Sequence, residues 1–438
     1  MKSNKSLHKF SLIILLITSL VSVASAQRPG SHVPRQEKLL NGLKVLMWTD
    51  PAAAKVDVRL RIHSGAAFDP QGKEGRMQLL ADNLFPNEAL REFFRDDLGG
   101  SLEIAANYDY IQITASSTPD KILPLLETLA TAVSNPTIDK ETTAKLKSEL
   151  LKKVSTKILD PVYVADHAVA AKLFGTFPYG RPVSGTPSSI AKIDFADLIE
   201  ARQRFLTSDN VTLAIRGNVD SNVIYRAVRR YFGSWLKSDK LSPSTFRQPD
   251  APKGAMSIVE SPETRKSEFR YAIRGLAHGD KDYYASAIVA AILDRRFKQV
   301  EGPNASVRHE TNTLPGAFIF AVSDWNLDRI KRDGDKISVP DTNGYQTRTF
   351  SKPITASEFE TAKREIVVRS AQENIVEGWL DTHTYNLGTA EKRSEDLQAV
   401  TLADAQSVLA RLQKEPVAYV LVWGESEPIK VDAFRPKR

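Results

Sequence analysis

The sequence predicts an α+β fold of two similar domains, each a sheet with helices segregated to one face. Three observations carry this. Alternating strands such as "VDVRLRI" are interleaved with helical periodicity, as in Met77, Leu80, Ala81, Leu84 and Phe85. The order strand, glycine turn, amphipathic helix also recurs. "VDVRLRIHSGAAFDPQGKEGRMQLLADNLF" is echoed by "SEFRYAIRGLAHGDKDYYASAIVAAILDRRF", and "VTLAIRGNVDSNVIYRAV" by "VAYVLVWGESEPIKVDAF". Between the echoes, "LKSDKLSPSTFRQPDAPKG" is rich in Pro, Ser, Lys and Asp and reads as a linker.

The boundaries that follow are a leader over 1–26, a flexible lead-in over 27–36, a first domain over 37–235, the linker over 236–254 and a second domain over 255–435. The leader has a basic start, "MKSNKSLHK", an apolar run, "FSLIILLITSLVSVA", and small residues Ala24-Ser25-Ala26 before Gln27. That is the pattern of a cleaved secretory signal, so the chain is expected to be exported, periplasmic or secreted, with no membrane span afterwards. An uncleaved anchor is the alternative, although the apolar run is short for a span.

The 438 residues include no cysteine, which excludes disulfides, thiolate metal sites and cysteine nucleophiles. The formal charge is +7, of which Lys2, Lys5 and Lys9 of the leader supply three, leaving +4 on the remainder. Basic and acidic residues are mixed throughout, so the charge reads as a solvated surface and not as a nucleic-acid footprint.

In chain order, "KVLMW" and "VDVRLRIH" read as strands, followed by the helix of Met77 to Phe85 and a strand in "NYDYIQITA". "STPDKILPLLETLATAVSNP" reads as a helix with Thr118 as cap and Pro119 in its first turn. A longer helix carries Leu146, Leu150, Val154 and Ile158 at steps of four and is closed by Asp160-Pro161. The first half ends with the strand of "VTLAIRG" and the helix of "SNVIYRAVRRYFGSW".

At this level of detail the residues resemble the M16 zinc metallopeptidases, the family of insulysin, pitrilysin and the mitochondrial processing peptidases. "LLNGLKVLMWTDP", "HSGAAFDPQGKEGRMQLLADNLF" and "LGGSLEIAANYDYIQI" are similar to the family's first strand, metal helix and following hairpin. Phe177-Pro178-Tyr179-Gly180 and Gly185-Thr186 match a family landmark, and the resemblance runs from about Leu39 to Ile429. It implies two homologous M16-type domains, each a mostly antiparallel sheet with helices on one face, forming half of a clamshell.

Active members carry H-x-x-E-H on the helix, two histidines binding zinc and the glutamate activating water. Laid over this sequence, the frame puts Gln78 and Asp82 at the histidine positions and Ala81 at the base. The family's third ligand, a glutamate eight residues before a proline, falls on Lys153, counted back from Pro161; Glu149 is the only nearby carboxylate. An amide oxygen is a poor zinc ligand, alanine takes no proton, and a lysine repels a dication. His63, His167, His278, His309 and His383 offer no pair at i, i+4.

The resemblance therefore implies a vestigial site at Gln78, Ala81, Asp82 and Lys153, with no catalytic residue and no bound metal; zinc belongs to the active relatives. Lys153 lies three residues after Leu150, on the side read as inward, so it is expected either to pair with Asp82 or to snorkel to solvent. The bland reading of Gln78 and Asp82 is a solvated flank. In the second half, Arg308 matches the family's substrate-gripping arginine or is a surface residue. The family's glycine-rich loop is replaced by Asp294-Arg295-Arg296, and the companion tyrosine falls near Pro315 or Phe318.

The function so implied is that of a non-catalytic subunit, paired as a heterodimer with an active M16 peptidase and helping to enclose unfolded peptide segments. Two alternatives stand beside it: an active zinc metalloendopeptidase with a displaced site, and a clamshell binding peptides or an envelope complex without a protease partner.

Overall fold

The computed structural model describes residues 33–238, 246–247, 249–252, 257–260, 267–325, 331–333, 336–338 and 349–423. The leader, most of the lead-in and much of the linker lie outside these residues. In the first half the strands are β1 (Arg35–Lys38), β2 (Lys44–Thr49), β3 (Val56–Ile62), β4 (Ser101–Ala106), β5 (Ile111–Ser117) and β6 (Val211–Gly217). The helices are α1 (Arg76–Leu84), α2 (Glu88–Glu92), α3 (Ile122–Ser134), α4 (Lys140–Lys157), α5 (Pro161–Phe174), α6 (Pro187–Ala191), α7 (Phe195–Phe205) and α8 (Ser221–Phe232). The second half holds β7 (Ser257–Glu260), β8 (Glu268–Arg274), α9 (Tyr283–Glu301), β9 (Ala305–Glu310), β10 (Ala317–Ser323) and a hairpin of β11 (Lys331–Asp333) and β12 (Lys336–Ser338). It continues with α10 (Ala356–Gln372), α11 (Ile375–Thr384), α12 (Arg393–Ala399), α13 (Leu402–Leu412) and β13 (Ala418–Trp423). β1 begins at Arg35, inside the stretch expected as lead-in, because its backbone pairs with β2.

The two main sheets have the same topology. The first runs β1-β2-β6-β3-β5-β4 and the second β7-β13-β8-β10-β9. Setting β1 aside, each orders its strands first, last, second, fourth, third, with the first and last parallel and the remaining neighbours antiparallel. The echo in the sequence is thus an echo of strand pairing.

Alternation sets the two faces of each sheet. Val56, Val58, Leu60 and Ile62 of β3 join Ile111 and Ile113 of β5 and Leu213 of β6 in a core with Met77, Leu80, Leu129, Val228 and Phe232 from the helices. In the second half, Phe269 and Tyr271 of β8 and Phe318 and Phe320 of β10 meet Ile288, Leu293 and Phe297 of α9, with Ala362 of α10. The opposite faces are covered reciprocally. Helix α5, from the first half, lays Ala165, Val169 and Leu173 on Ala272, Ile319 and Val420 of the second sheet. Helix α11, from the second half, lays Val376, Trp379 and Leu380 on Leu46, Trp48 and Ala214 of the first. Trp48 and Trp379 meet edge to face at 6.3 Å.

Polar groups fix each exchanged helix. The Arg61 side chain is fully buried; it donates to Asp381 of α11 at 2.7 Å and to Gln112 at 2.8 Å, and also pairs with Glu377. Arg59 pairs with Glu377 as well, and Gln112 donates to it at 2.7 Å. Across the pseudo-symmetry, Asp166 of α5 accepts from Arg270 at 2.7 Å and pairs with Arg308 at 2.9 Å. His63 sits between Thr212 and Thr384 at 2.9 and 3.1 Å, and burial holds its pKa well below the ordinary value, so the ring is neutral.

The Phe177-Pro178-Tyr179-Gly180 landmark works in the same seam. The Tyr179 hydroxyl donates to Asp109 at 3.1 Å and accepts from the Leu314 N–H at 3.0 Å, while Asp109 accepts from the Thr313 N–H at 3.0 Å. One tyrosine therefore ties the β4–β5 turn to the β9–β10 turn of the other half. Tyr179→Phe leaves the Leu314 N–H without its acceptor and Asp109 short of a donor. It is expected to cost about 1–3 kcal/mol in chemical denaturation, with the slope of the transition unchanged. A loss below about 0.5 kcal/mol would show that the hydroxyl is replaceable by water.

Candidate functional site

Helix α1 starts where Gly75 takes φ +97°. Its first turn is capped from outside by Asp69, whose carboxylate accepts from the Gly75 N–H at 2.8 Å and the Met77 N–H at 2.9 Å. Arg76, also buried, donates to the Phe68 carbonyl and to Glu200, both at 3.0 Å. The Gly185-Thr186 landmark braces the same turn. Ser189 donates to the Glu74 carbonyl at 2.8 Å, and a Cβ on Gly185 would stand 2.1 Å from that oxygen, so only glycine fits. Burial pushes the Asp69 carboxyl up to about 7, against the opposing pull of its two N–H donors and of Arg76 and Arg181.

The side chains presented by this well-held helix are a different matter. Ala81 is fully buried, while Gln78 and Asp82 are half-buried. Gln78 donates its amide N–H to Asp82 at 3.0 Å, an i, i+4 bond along the helix. Burial raises the Asp82 pKa; the Gln78 bond and the charges of Lys153 and Arg91 lower it, and Glu149 raises it. Helix α4 lies against α1, as the resemblance implied.

Lys153 does not point inward. The buried line of α4 is Thr143, Leu146, Leu150 and Val154, and Lys153, one residue off it, is exposed with no carboxylate within 4 Å among the described residues. Of the two readings open for this residue, the geometry is that of the solvent-reaching stem, close enough for its field to act on Asp82. Glu149 is exposed too. The donor set at this place is an amide already bonded to its neighbour, one carboxylate, a methyl group and an ammonium. It contains no imidazole, and it does not fit zinc. Among the described residues no group of three or more His, Cys, Asp or Glu is arranged to hold a metal.

β4 ends its sheet beside α1. Beyond its pairing with β5, no described residue hydrogen-bonds the β4 backbone. The corresponding edge strand of the other sheet, β9, is blunted, because Asp294 accepts the Val307 N–H at 2.8 Å. Arg308 on β9 faces α5, paired with Asp166 at 2.9 Å and Glu310 at 3.4 Å. It lines a cavity of about 320 Å³ with Tyr108, Tyr163, His167 and Glu310.

Asp294-Arg295-Arg296, expected in place of a loop, lies within α9. There Arg296 is buried against Glu358 at 2.8 Å and the carbonyls of Lys352 and Pro353 at 2.8 and 2.9 Å, which makes it a packing pin. Sequence reasoning missed Arg61, Glu377, Asp381 and Asp69. The first three had a signal: arginines on the outward phase of β3, and two acids at i, i+4 in "EGWLD". Asp69 had none, since its role is set by where the chain returns.

Two measurements follow. Asp82→Asn and Lys153→Met, alone and together, should give losses that add within about 0.5 kcal/mol, since the two groups make no ion pair. A coupling above about 1 kcal/mol would restore the inward lysine. For Asp69, a folded carboxyl near 7 against an ordinary 3.8 means the folded state binds its proton more tightly. That contribution to stability is complete below about pH 3.8 and is lost as pH rises through about 7. Wild type should therefore lose stability relative to Asp69→Asn between these limits, read from denaturation midpoints at several pH values. A difference constant with pH would mean the carboxyl is already ionised.

Residues 192–328 match the family described as the peptidase M16 inactive domain. An uncharacterized zinc protease of Rickettsia bellii is 24% identical over 221 residues, 48% of this chain and 52% of that protein. Another, from Mycobacterium bovis, is 26% identical over 243 residues, 54% of each. The chain thus spans about half the length of the curated relatives it matches. A crystal structure of a peptidase M16 inactive domain from Pseudomonas fluorescens superposes with a TM-score of 0.77 at 19% identity, covering 90% of this chain and 98% of that one. In sequence over 192–328 and in fold over most of its length, the chain is thus similar to proteins of the peptidase M16 family, and it carries Gln78-x-x-Ala81-Asp82 on the helix where the resemblance placed H-x-x-E-H.

Proposed function

We propose that the chain is a non-catalytic M16-type subunit that lends wall and edge strand to a peptide-binding chamber shared with an active M16 zinc peptidase. The observation that carries this is the contrast at α1. Its support is complete in Asp69, Gly75, Gly185 and Ser189, yet its reacting positions hold Gln78, Ala81 and Asp82. A helix kept in position without donors for a metal has a use as a surface. The β4 edge beside it has the backbone groups to receive an extended peptide as an added strand, a mode indifferent to sequence in its main-chain bonds.

Arg308, if it reaches a peptide, does so by leaving Asp166, so its grip is secondary in this proposal. Export of the chain, with processing at Gln27, belongs to the same reading, since a partner peptidase must share its compartment.

The test is metal content and peptide cleavage of the purified chain, alone and mixed with an active M16 chain from its host. We expect no stoichiometric zinc, no cleavage alone, and a gain in the partner's cleavage on mixing. Zinc near one per chain, with chelator-sensitive cleavage by the chain alone, would favour the displaced-site peptidase. Peptide binding with no effect on any M16 chain would favour the partner-free clamshell. Combined replacement Gln78→His, Ala81→Glu, Asp82→His and Lys153→Glu is expected to introduce zinc binding without turnover, because the four replacements supply ligands and a base but no partners that orient them.

A further inference from the structure

We propose that the outer face of α8, together with the β1–β2 turn, is a docking surface for an anionic lipid bilayer, a property separate from the peptidase-like reading. Helix α8 is strongly two-sided. Ile224, Ala227, Val228 and Phe232 are buried, while Asn222, Val223, Arg226, Arg229 and Arg230 share the exposed face. Between Ser221 and Phe232 that face has three arginines and no acid; Asp220, the exposed cap at the start of the helix, is the carboxylate beside it, and its charge acts on Arg226. Among the described residues none of the three has a carboxylate within 4 Å; Arg229 and Arg230 lie instead over the rings of Tyr225 and Tyr231, at 5.9 and 5.7 Å.

β1 runs alongside; its Arg35 is paired with Glu37 at 2.9 Å, so its net addition to the charge is Lys38. Arg35 donates to Asn222 at 2.7 Å and lies 5.5 Å from the Tyr225 ring, and Lys38 is exposed. Two leucines flank the cationic face where a folded protein ordinarily hides them. Leu40, at the β1–β2 turn, is wholly exposed, and Leu236 is 80% exposed. They are neighbours, because Asn41 donates to the Phe232 and Trp235 carbonyls at 2.8 and 3.0 Å, and Ser208 bonds to the Asn41 and Leu236 carbonyls at 2.7 and 3.0 Å.

The occupant follows from this composition. Clustered arginines attract a negative surface, and exposed leucines at adjoining turns are suited to the headgroup boundary of a bilayer. Two exposed leucines beside a cationic helix face supply far too little apolar area for the core of a protein interface of some 800 Å² per side. The lysines of α4 serve as an internal control, because there Glu141 and Glu149 are interleaved with them.

The exported chain, purified as its host processes it, is tested by co-sedimentation with vesicles of phosphatidylglycerol and phosphatidylethanolamine, and with vesicles of phosphatidylcholine. Binding is expected to the first and to weaken with salt. Arg226→Glu, Arg229→Glu and Arg230→Glu together should weaken it by at least about tenfold. Leu40→Ser with Leu236→Ser should weaken it further, and Lys145→Glu with Lys152→Glu should leave it unchanged. All these positions are exposed, and unchanged melting temperatures would exclude unfolding as the cause. Equal binding to both vesicle types, equal loss in the α4 variant, or binding of an acidic soluble protein with none to vesicles would each overturn the proposal.

Discussion

The structure depends on the reciprocal placing of α5 and α11, each on the sheet of the other half. A sheet of five or six strands has two faces, and the helices of its own half cover only one. The second face must be solvated or covered, and here it is covered by small and branched side chains, Ala165 sharing one buried cluster with Ala272 and Val376 another with Ala214. Apolar contact of that kind does not select one orientation. Arg61 does. Its buried guanidinium has donors only, and it is satisfied when Glu377, Asp381 and Gln112 are all in reach. Asp166 between Arg270 and Arg308 acts likewise for α5.

This constraint accounts for what has been kept around α1. The family landmark at Tyr179 and Gly185 lies in the loop that leads out of α5, so it is positioned by the exchanged helix on one side and clasps the start of α1 on the other. Loosening α1 would loosen the seam, and the seam holds both sheets. The position of α1 is therefore fixed by Asp69 and the loop after α5, independently of the side chains at 78 and 82. A methyl at position 81 adds to the core, and the Gln78–Asp82 bond satisfies two polar groups that would otherwise be half-buried and unpaired.

The fold was legible in the sequence because its signals are local. Alternation in β3 and the four-residue steps of α4 predict elements within a few residues, and the echoed segments predict one topology used twice. The helix that carries Gln78, Ala81 and Asp82 was equally legible, since Met77, Leu80, Ala81 and Leu84 set its buried face. What was not legible required knowing which element arrives from the other half. Arg59 and Arg61 lie on the polar phase of a strand, and the arrival of α11 gives both a carboxylate partner in Glu377 and leaves Arg61 fully buried. Lys153 failed in the opposite sense: a spacing of three from Leu150 is compatible with the buried side, but α1 covers the line through Val154, one position on.

The two sheet ends then differ in a way the pseudo-symmetry did not require. Both β4 and β9 are edge strands lying next to the first helix of their half. An unprotected edge invites pairing with any extended chain, and proteins ordinarily blunt such edges with charge. At β9 a carboxylate does this directly, Asp294 taking the Val307 N–H and being held in turn by Lys298 at 2.8 Å. At β4 the neighbouring helix carries Asp82, whose Oδ1 accepts from Gln78, and no β4 N–H is bonded to it among the described residues. Among the described residues one edge is thus capped by a carboxylate while the other, beside α1, keeps its backbone groups, so two sheets of one topology differ in what they offer to an added strand.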